Sequence, residues 1–350
     1  MSKRHLLLPG LLLMLAAVLT FLKVPLASSQ GLTLVAAEVS GELPMTDPEA
    51  AVWQEATAIE APLSAQNVAR PMILNTQVRS VTARALHNGS QIALLVEWAD
   101  DTQSDEMVRV QDFRDAVAVQ FPLAEGQPFF CMGQPGGNVN IWHWKADWQA
   151  DIAARRDVNT AYANMYVDQY PFVGIGEALL ASPADYTDPN YLPALASGNL
   201  FASATYASPV EDLIAGGFGS LTSQPVAGQN VQGYGVWSDG RWRVIFSRDL
   251  KSQDADDVNL STGKVYSLAF AAWDGANGER NGQKSTSQWV SLQLEGMIPT
   301  GPAPQPAQRA AAPLDWLGMA FVFGPMALVA LLALGLVGGA VALSIWTRKQ

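Results

Sequence analysis

Between its two ends, on either side of one long aperiodic stretch, the chain places apolar and polar residues in short runs with the two-residue period of half-buried strands rather than the longer period of helices. Such runs are Leu32 to Val39, Ser80 to Leu86, Gln91 to Trp98, Ala116 to Phe121 (AVAVQF), Asn138 to Lys145, Gly235 to Trp237, Arg241 to Ser247, Val265 to Trp273 and Ser287 to Leu294. Turn residues separate them. His87-Asn88-Gly89-Ser90 carries an Asn-Gly pair, the strongest short hairpin signal, and Ser238-Asp239-Gly240 turns the chain before Arg241. Short strands at regular spacing predict an all-β chain, an antiparallel β-sandwich with long loops and short helices. Asp47-Pro48-Glu49 opens one helical turn that ends on Trp53. From Arg155 to Val231 neither period holds, and this Tyr-, Ala-, Gly- and Pro-rich stretch reads as long ordered loops with short helices around Glu177 to Ala181 and Val210 to Ile214. No internal repeat is present.

The two ends follow another pattern. Lys3 and Arg4 precede an uncharged run from Leu6 to Leu22 and then the small residues Ala27, Ser28 and Ser29, which predicts a secretory signal over 1–29, with an uncleaved anchor as the alternative. Leu317 to Thr347 carries no charge, and about twenty apolar residues suffice to span a bilayer. A transmembrane helix is therefore expected over 314–347, C-terminal to the β-sandwich domain at 30–297 and a Pro/Ala-rich linker at 298–313. Trp316 and Trp346 mark its interfaces, and Arg348 and Lys349 place the tail, 348–350, in the cytoplasm. The main domain then lies on the extracytoplasmic side of the cell membrane, single-pass.

Composition sharpens this picture. The 350 residues are 49% hydrophobic and 15% charged, with the apolar excess concentrated at the ends. Between those ends 16 basic residues face 31 acidic ones, a net charge of about −15 that disfavours nucleic acid and anionic lipid and suits a basic redox partner. Cys131 is the single cysteine, so an exported domain must hold together without disulfides. It also excludes a Cys-x-x-Cys-His haem attachment, an iron–sulfur cluster and a cysteine-based zinc site.

Candidate chemistry concentrates in Pro128 to Asp151, PFFCMGQPGGNVNIWHWKADWQAD. Met132 offers a soft thioether and stands before Gly133, whose missing side chain lets a flat ring approach the backbone. Phe129, Phe130, Trp142 and Trp144 could wall an apolar slot; His143 and Lys145 share one strand face, opposite the tryptophans. A methionine among aromatics is also ordinary core filler. Of the lysines outside the ends, Lys251 and Lys264 flank a polar loop and read as solvated, which leaves Lys145 and Lys284. Asp100, Asp101, Asp105 and Glu106 read as a solvated loop or a calcium site.

Several strings together resemble one family, the haem b-binding gamma subunits of ethylbenzene dehydrogenase and related molybdenum enzymes of the dimethyl sulfoxide reductase class. They are Phe130-Cys131-Met132-Gly133, Asn140-Ile141-Trp142-His143-Trp144-Lys145-Ala146, Pro209-Val210-Glu211-Asp212-Leu213 with Gly216-Gly217-Phe218-Gly219, Gly235-Val236-Trp237-Ser238-Asp239-Gly240-Arg241-Trp242, and Phe270-Ala271-Ala272-Trp273-Asp274-Gly275 through Asn281-Gly282-Gln283-Lys284. The resemblance runs from about Leu32 to Leu294 and implies a β-sandwich holding one haem b between a methionine and a lysine. It implies an electron-transfer subunit, not itself an enzyme, serving an iron–sulfur subunit and a molybdenum catalytic subunit. Carried over by motif, the iron ligands are Met132 and Lys284, with His143 as the rival ligand and otherwise, like Trp142 and Trp144, part of the cofactor wall. Arg280 and Arg248 are candidates for pairing with the haem propionates. The transmembrane tail is absent from soluble members and resembles that of membrane-tethered relatives found with nitrate reductase or nitrite oxidoreductase complexes.

The competing reading is an anchored carbohydrate-binding sandwich without haem, in which Trp142, Trp144, Trp237 and Trp273 would stack on sugars. A hydrolase is disfavoured, since no Gly-x-Ser-x-Gly, His-Glu-x-x-His or Cys-His arrangement is present.

Overall fold

The computed structural model describes residues 31–296, apart from 69, 125–131, 163, 165–193, 195–196 and 204. The signal, linker and transmembrane expectations, the helix at Glu177 to Ala181, and Phe129, Phe130 and Cys131 lie outside the described residues. Among the described residues, no helix is long and apolar enough to cross a membrane.

Among the described residues thirteen strands form the domain: β1 (Thr33–Glu38), β2 (Ile59–Ala65), β3 (Ser80–His87), β4 (Gln91–Ala99), β5 (Ala116–Pro122), β6 (Val139–Lys145), β7 (Val210–Ala215), β8 (Thr222–Ser223), β9 (Gln232–Ser238), β10 (Arg241–Asp249), β11 (Val265–Trp273), β12 (Ser285–Ser287) and β13 (Val290–Leu294). They follow the order β8-β7-β6-β5-β11-β12-β2-β3-β4-β10-β9, with β13 bridging β1 and β11. The sheet folds over on itself because β2 and β11 change partners along their length. Ile59 to Pro62 pairs with β3 and Leu63 to Ala65 with β12, while Val265 to Leu268 pairs with β13 and Ala269 to Trp273 with β5. Antiparallel pairing prevails, but β1 runs parallel to both β13 and β3.

The two layers meet over a core that includes Trp98, Trp142, Trp144, Trp242, Phe121, Phe246 and Phe270. Trp144 meets Trp98 edge-on at 6.3 Å and Trp242 at 4.9 Å, which joins one layer to the other. A Cβ on Gly235 would lie 2.2 Å from the Trp144 ring, so β9 needs glycine where this indole crosses it.

One local reading is corrected, and two elements that the pattern did not predict are present. Val210 to Ile214 is strand β7 and not a helix: between β6 and β8 its backbone is paired on both sides, and that outweighs the helix propensity of Glu, Leu and Ala. β2 escapes a pattern reading because Pro62 interrupts it, although Pro62 still sits opposite Ser80. Helix α1 (Ala146–Ala153) directly follows β6 and buries Trp148.

Candidate functional site

The candidate site lies on the outer side of β6, β5 and β11, away from the main core. In β5 the alternation is literal: Val117, Val119 and Phe121 enter the core, while Ala116, Ala118 and Gln120 line a cavity of about 820 Å³. In β11, Leu268, Phe270 and Ala272 belong to the core, and Ala269, Ala271 and Trp273 line the cavity. The pairing sets them in rows. His143 lies opposite Ala118, Ala118 opposite Ala271, and Ala271 opposite Thr286; Ile141, Gln120 and Ala269 form the next row. Neighbouring strands stand about 4.8 Å apart and same-face residues about 6.8 Å, so the four alanines make a flat floor for a planar ligand.

Two donor atoms converge on this cavity from distant chain segments. Lys284 Nζ lies 3.6 Å from Met132 Sδ, across 152 residues of sequence. Met132 and Gly133 are both left-handed, with φ of 71° and 73°. The glycine is required there, since a Cβ would stand 2.7 Å from the Gly137 carbonyl oxygen and 2.8 Å from that of Ala215. Left-handed backbone is costly for methionine, and such strain clusters at functional positions. Lys284 is 9% exposed and arrives from the Arg280–Gln283 turn, its amine 4.9 Å from the Trp273 ring centre.

Trp273 is a residue that the sequence reading did not place in the wall. It stacks on His143 at 4.8 Å and donates from Nε1 to the Asn281 carbonyl, so it fixes both the imidazole and the turn that delivers Lys284. His143 lines the cavity, and its Nε2 is buried without a hydrogen-bond partner. Burial, then the positive charges of Lys145, Arg114 and Lys284, holds its pKa well below the usual imidazole value, so the ring is neutral.

Trp142 and Trp144, expected in the wall, are fully buried on the opposite face of β6. Trp142 packs on Phe121 at 4.7 Å and donates from Nε1 to Asn140. With a two-residue strand period, putting His143 on the cavity face sends both neighbours into the core. Arg280 lines the cavity, its guanidinium 4.4 Å from the Phe113 ring centre, and Arg70 and Arg114 line it too. Arg248 does not: it stands 5.2 Å from the Trp142 ring and 3.5 Å from Asp257. Apolar side chains of Met107, Phe218 and Leu221 line the same cavity while remaining 44%, 42% and 47% exposed. That leaves an apolar rim open to solvent.

Lys145, the other candidate lysine, is engaged elsewhere. It is fully buried in an ion pair with Glu211, whose second oxygen accepts from Ser223, and its ammonium lies 3.7 Å from the Trp148 ring centre and 4.4 Å from that of Phe201. Burial brings its pKa down to about 8 against the opposing pull of Glu211.

Residues 50–285 match the family model described as ethylbenzene dehydrogenase. The chain is 25% identical, over 83% of its length and 84% of the relative's, to a Haloferax mediterranei protein named as a respiratory nitrate reductase heme subunit. It is 26% identical to the chlorate reductase subunit gamma of Ideonella dechloratans, covering 71% of this chain and 79% of that one. With the dimethylsulfide dehydrogenase subunit gamma of Rhodovulum sulfidophilum it shares 25% identity over 57% and 54% of the two chains. Among solved structures it aligns with a family 9 carbohydrate-binding module from Caldicellulosiruptor kristjanssonii at 6% identity and a TM-score of 0.36, covering 81% of this chain and 99% of the module. That likeness is too distant to carry an argument about the ligand.

Proposed function

The chain belongs to the ethylbenzene dehydrogenase family, and from that premise and the slot's geometry we propose that it is the b-type cytochrome subunit of a molybdenum-enzyme complex. It transfers electrons through one haem b held by Met132 and Lys284. The observation that carries the reading is the approach of the Met132 sulfur to the Lys284 amine, 3.6 Å apart over an alanine floor. A thioether sulfur and a free amine that converge on one cavity are donors that would hold low-valent iron. The residues present therefore fit the group.

When bound, the haem supplies a one-electron couple, and the subunit performs no bond chemistry of its own. Met132 contributes a soft, neutral sulfur, which favours reduced iron and raises the potential. Lys284 can donate only as the free amine, and its place among Trp273, the turn backbone and Met132 keeps water away from it. Neutral His143 adds no charge to the wall. Arg280, with Arg70 and Arg114, offers guanidinium donors suited to carboxylates.

The partners in this reading are an iron–sulfur subunit and a molybdenum catalytic subunit. The helix expected over 314–347 tethers the domain to the extracytoplasmic face of the cell membrane. The visible spectrum of the purified protein, oxidised and reduced, tests the assignment alongside Met132→Ala and Lys284→Ala. A b-type Soret and α band altered in both variants supports the ligand pair. A spectrum indifferent to Lys284 but lost with His143→Ala would transfer the ligation to the imidazole. Failure of the folded protein to take up haemin would overturn the cytochrome reading. The sugar-stacking alternative is left with the half-buried Trp237 alone of its four rings, since Trp142 and Trp144 are fully buried and Trp273 is 7% exposed.

A further inference from the structure

Electron transfer leaves unused three carboxylates that strand ends bring together. Asp100 follows β4, Asp115 precedes β5 and Asp274 follows β11; they are 6%, 0% and 7% exposed. One ligand oxygen from each lies within 4.8 Å of the other two. Among the described residues no lysine, arginine or histidine forms an ion pair with any of them. Burial pushes Asp115 up to about 7, with repulsion from Asp100 next, and Asp100 is raised as well. Such a triad is costly unless protons or a cation neutralise it.

The hydrogen bonds hold the triad in place and leave one of its buried oxygens open. Asp115 is held open by three donors, with Ser104 N–H and Trp242 Nε1 on Oδ2 and Gly275 N–H on Oδ1. Asp100 Oδ1 accepts from the backbone and hydroxyl of Thr102, whereas its Oδ2 is buried without any hydrogen-bond partner. Asp274 Oδ1 accepts from Asn277 N–H. Two oxygens each about 2.4 Å from one calcium ion lie at most about 4.8 Å apart, which is the spacing limit this triad meets.

We propose that Asp100, Asp115 and Asp274 bind one calcium ion. The donor set is all oxygen, which suits a hard cation, and its irregular mix of loop residues suits calcium better than the strict octahedron of magnesium. Of the acidic loop picked out in the sequence only Asp100 takes part: Asp101 is exposed and Asp105 pairs with Arg156. The ion would tie together three segments beside the cavity. Arg114 precedes Asp115 and Trp273 precedes Asp274, and both line the slot. Gly275 is packed so closely that a Cβ there would lie 1.9 Å from the Phe113 carbonyl oxygen. The inference does not depend on the haem.

Terbium provides the probe. The full chain in detergent is stripped with chelator, desalted and titrated with Tb³⁺ while tryptophan is excited, since Trp242 Nε1 is 3.0 Å from Asp115 Oδ2 and within transfer range. The expected result is one sensitised Tb³⁺ per chain, displaced by Ca²⁺ and far less readily by Mg²⁺. Asp100→Asn and Asp274→Asn each weaken Ca²⁺ binding about tenfold or more, because each removes a ligand charge. Asp101→Asn leaves it unchanged. Circular dichroism verifies folding. If either triad variant does not fold, millimolar Ca²⁺ must still raise the Tm of the stripped wild-type chain while Mg²⁺ at the same concentration does not. No saturable one-to-one binding to the wild type, or a site untouched by both triad substitutions in folded protein, overturns the proposal.

Discussion

Ala271→Leu tests the slot without touching either donor atom. Ala271 sits at the centre of the floor, opposite Ala118 on one side and Thr286 on the other. A flat ring in van der Waals contact rides about 3.5–4.0 Å above a floor carbon. Leucine's end carbons reach roughly 2.5 Å beyond Cβ, two single bonds further out. They therefore come within about 1–1.5 Å of the ring plane, and the ring must lift or leave. Overpacking of this kind costs about 1–3 kcal/mol, or about 5- to 150-fold in haem affinity. In the haem-free protein the same carbons point into the 820 Å³ cavity and create no overlap, so stability is retained. The neighbouring Ala272→Leu does the reverse. Ala272 is fully buried in the main core, and added volume there lowers stability by about 1–3 kcal/mol while leaving haem affinity unaltered in molecules that fold. Haemin titration followed at the Soret band, with urea unfolding of the haem-free protein, separates the two effects. Unchanged haemin affinity in a folded Ala271→Leu protein would refute the alanine floor.

Three further outcomes are expected. Lys145→Met leaves Glu211 buried beside Ser223 without its cation and costs about 3–5 kcal/mol in urea unfolding; the Lys145→Met/Glu211→Leu double variant recovers most of that loss. Met132→Gly, at φ 71°, relieves about 1 kcal/mol of left-handed strain in the haem-free fold while abolishing the b-type spectrum, so thermal stability without haem and haem retention move in opposite directions. Asp212 is raised to about 8, first by burial and then by neighbouring Asp257, against the lowering influence of Asn140 and Arg248. Between about pH 4 and pH 8 the folded chain thus holds a proton that the unfolded chain has released, and its contribution to stability declines as pH rises through that window. Asp212→Asn should flatten the dependence of the urea midpoint on pH over this range, and an unaltered slope would discount the shift.

The hairpin at Asn88-Gly89, the Val265–Trp273 strand and the Ala/Val alternation of Ala116 to Val119 were all legible in the sequence, because each expresses a local rule, turn chemistry or the two-residue strand period. Met132 and Lys284 were assigned by motif resemblance; nothing in local spacing could bring them together, since their meeting depends on β6 and β12 lying in one folded sheet. Which face of each alternating strand turns toward the cavity was likewise undecided by pattern, because in β5 and β11 both faces are apolar. The second layer decided it: Trp98 and Trp242 draw Trp144 inward, and the period of the strand then leaves His143 and the alanines to the slot. The triad of Asp100, Asp115 and Asp274 belongs wholly to tertiary structure. Its members are separated by up to 174 residues and become neighbours only because β4, β5 and β11 end together, which no one-dimensional pattern encodes.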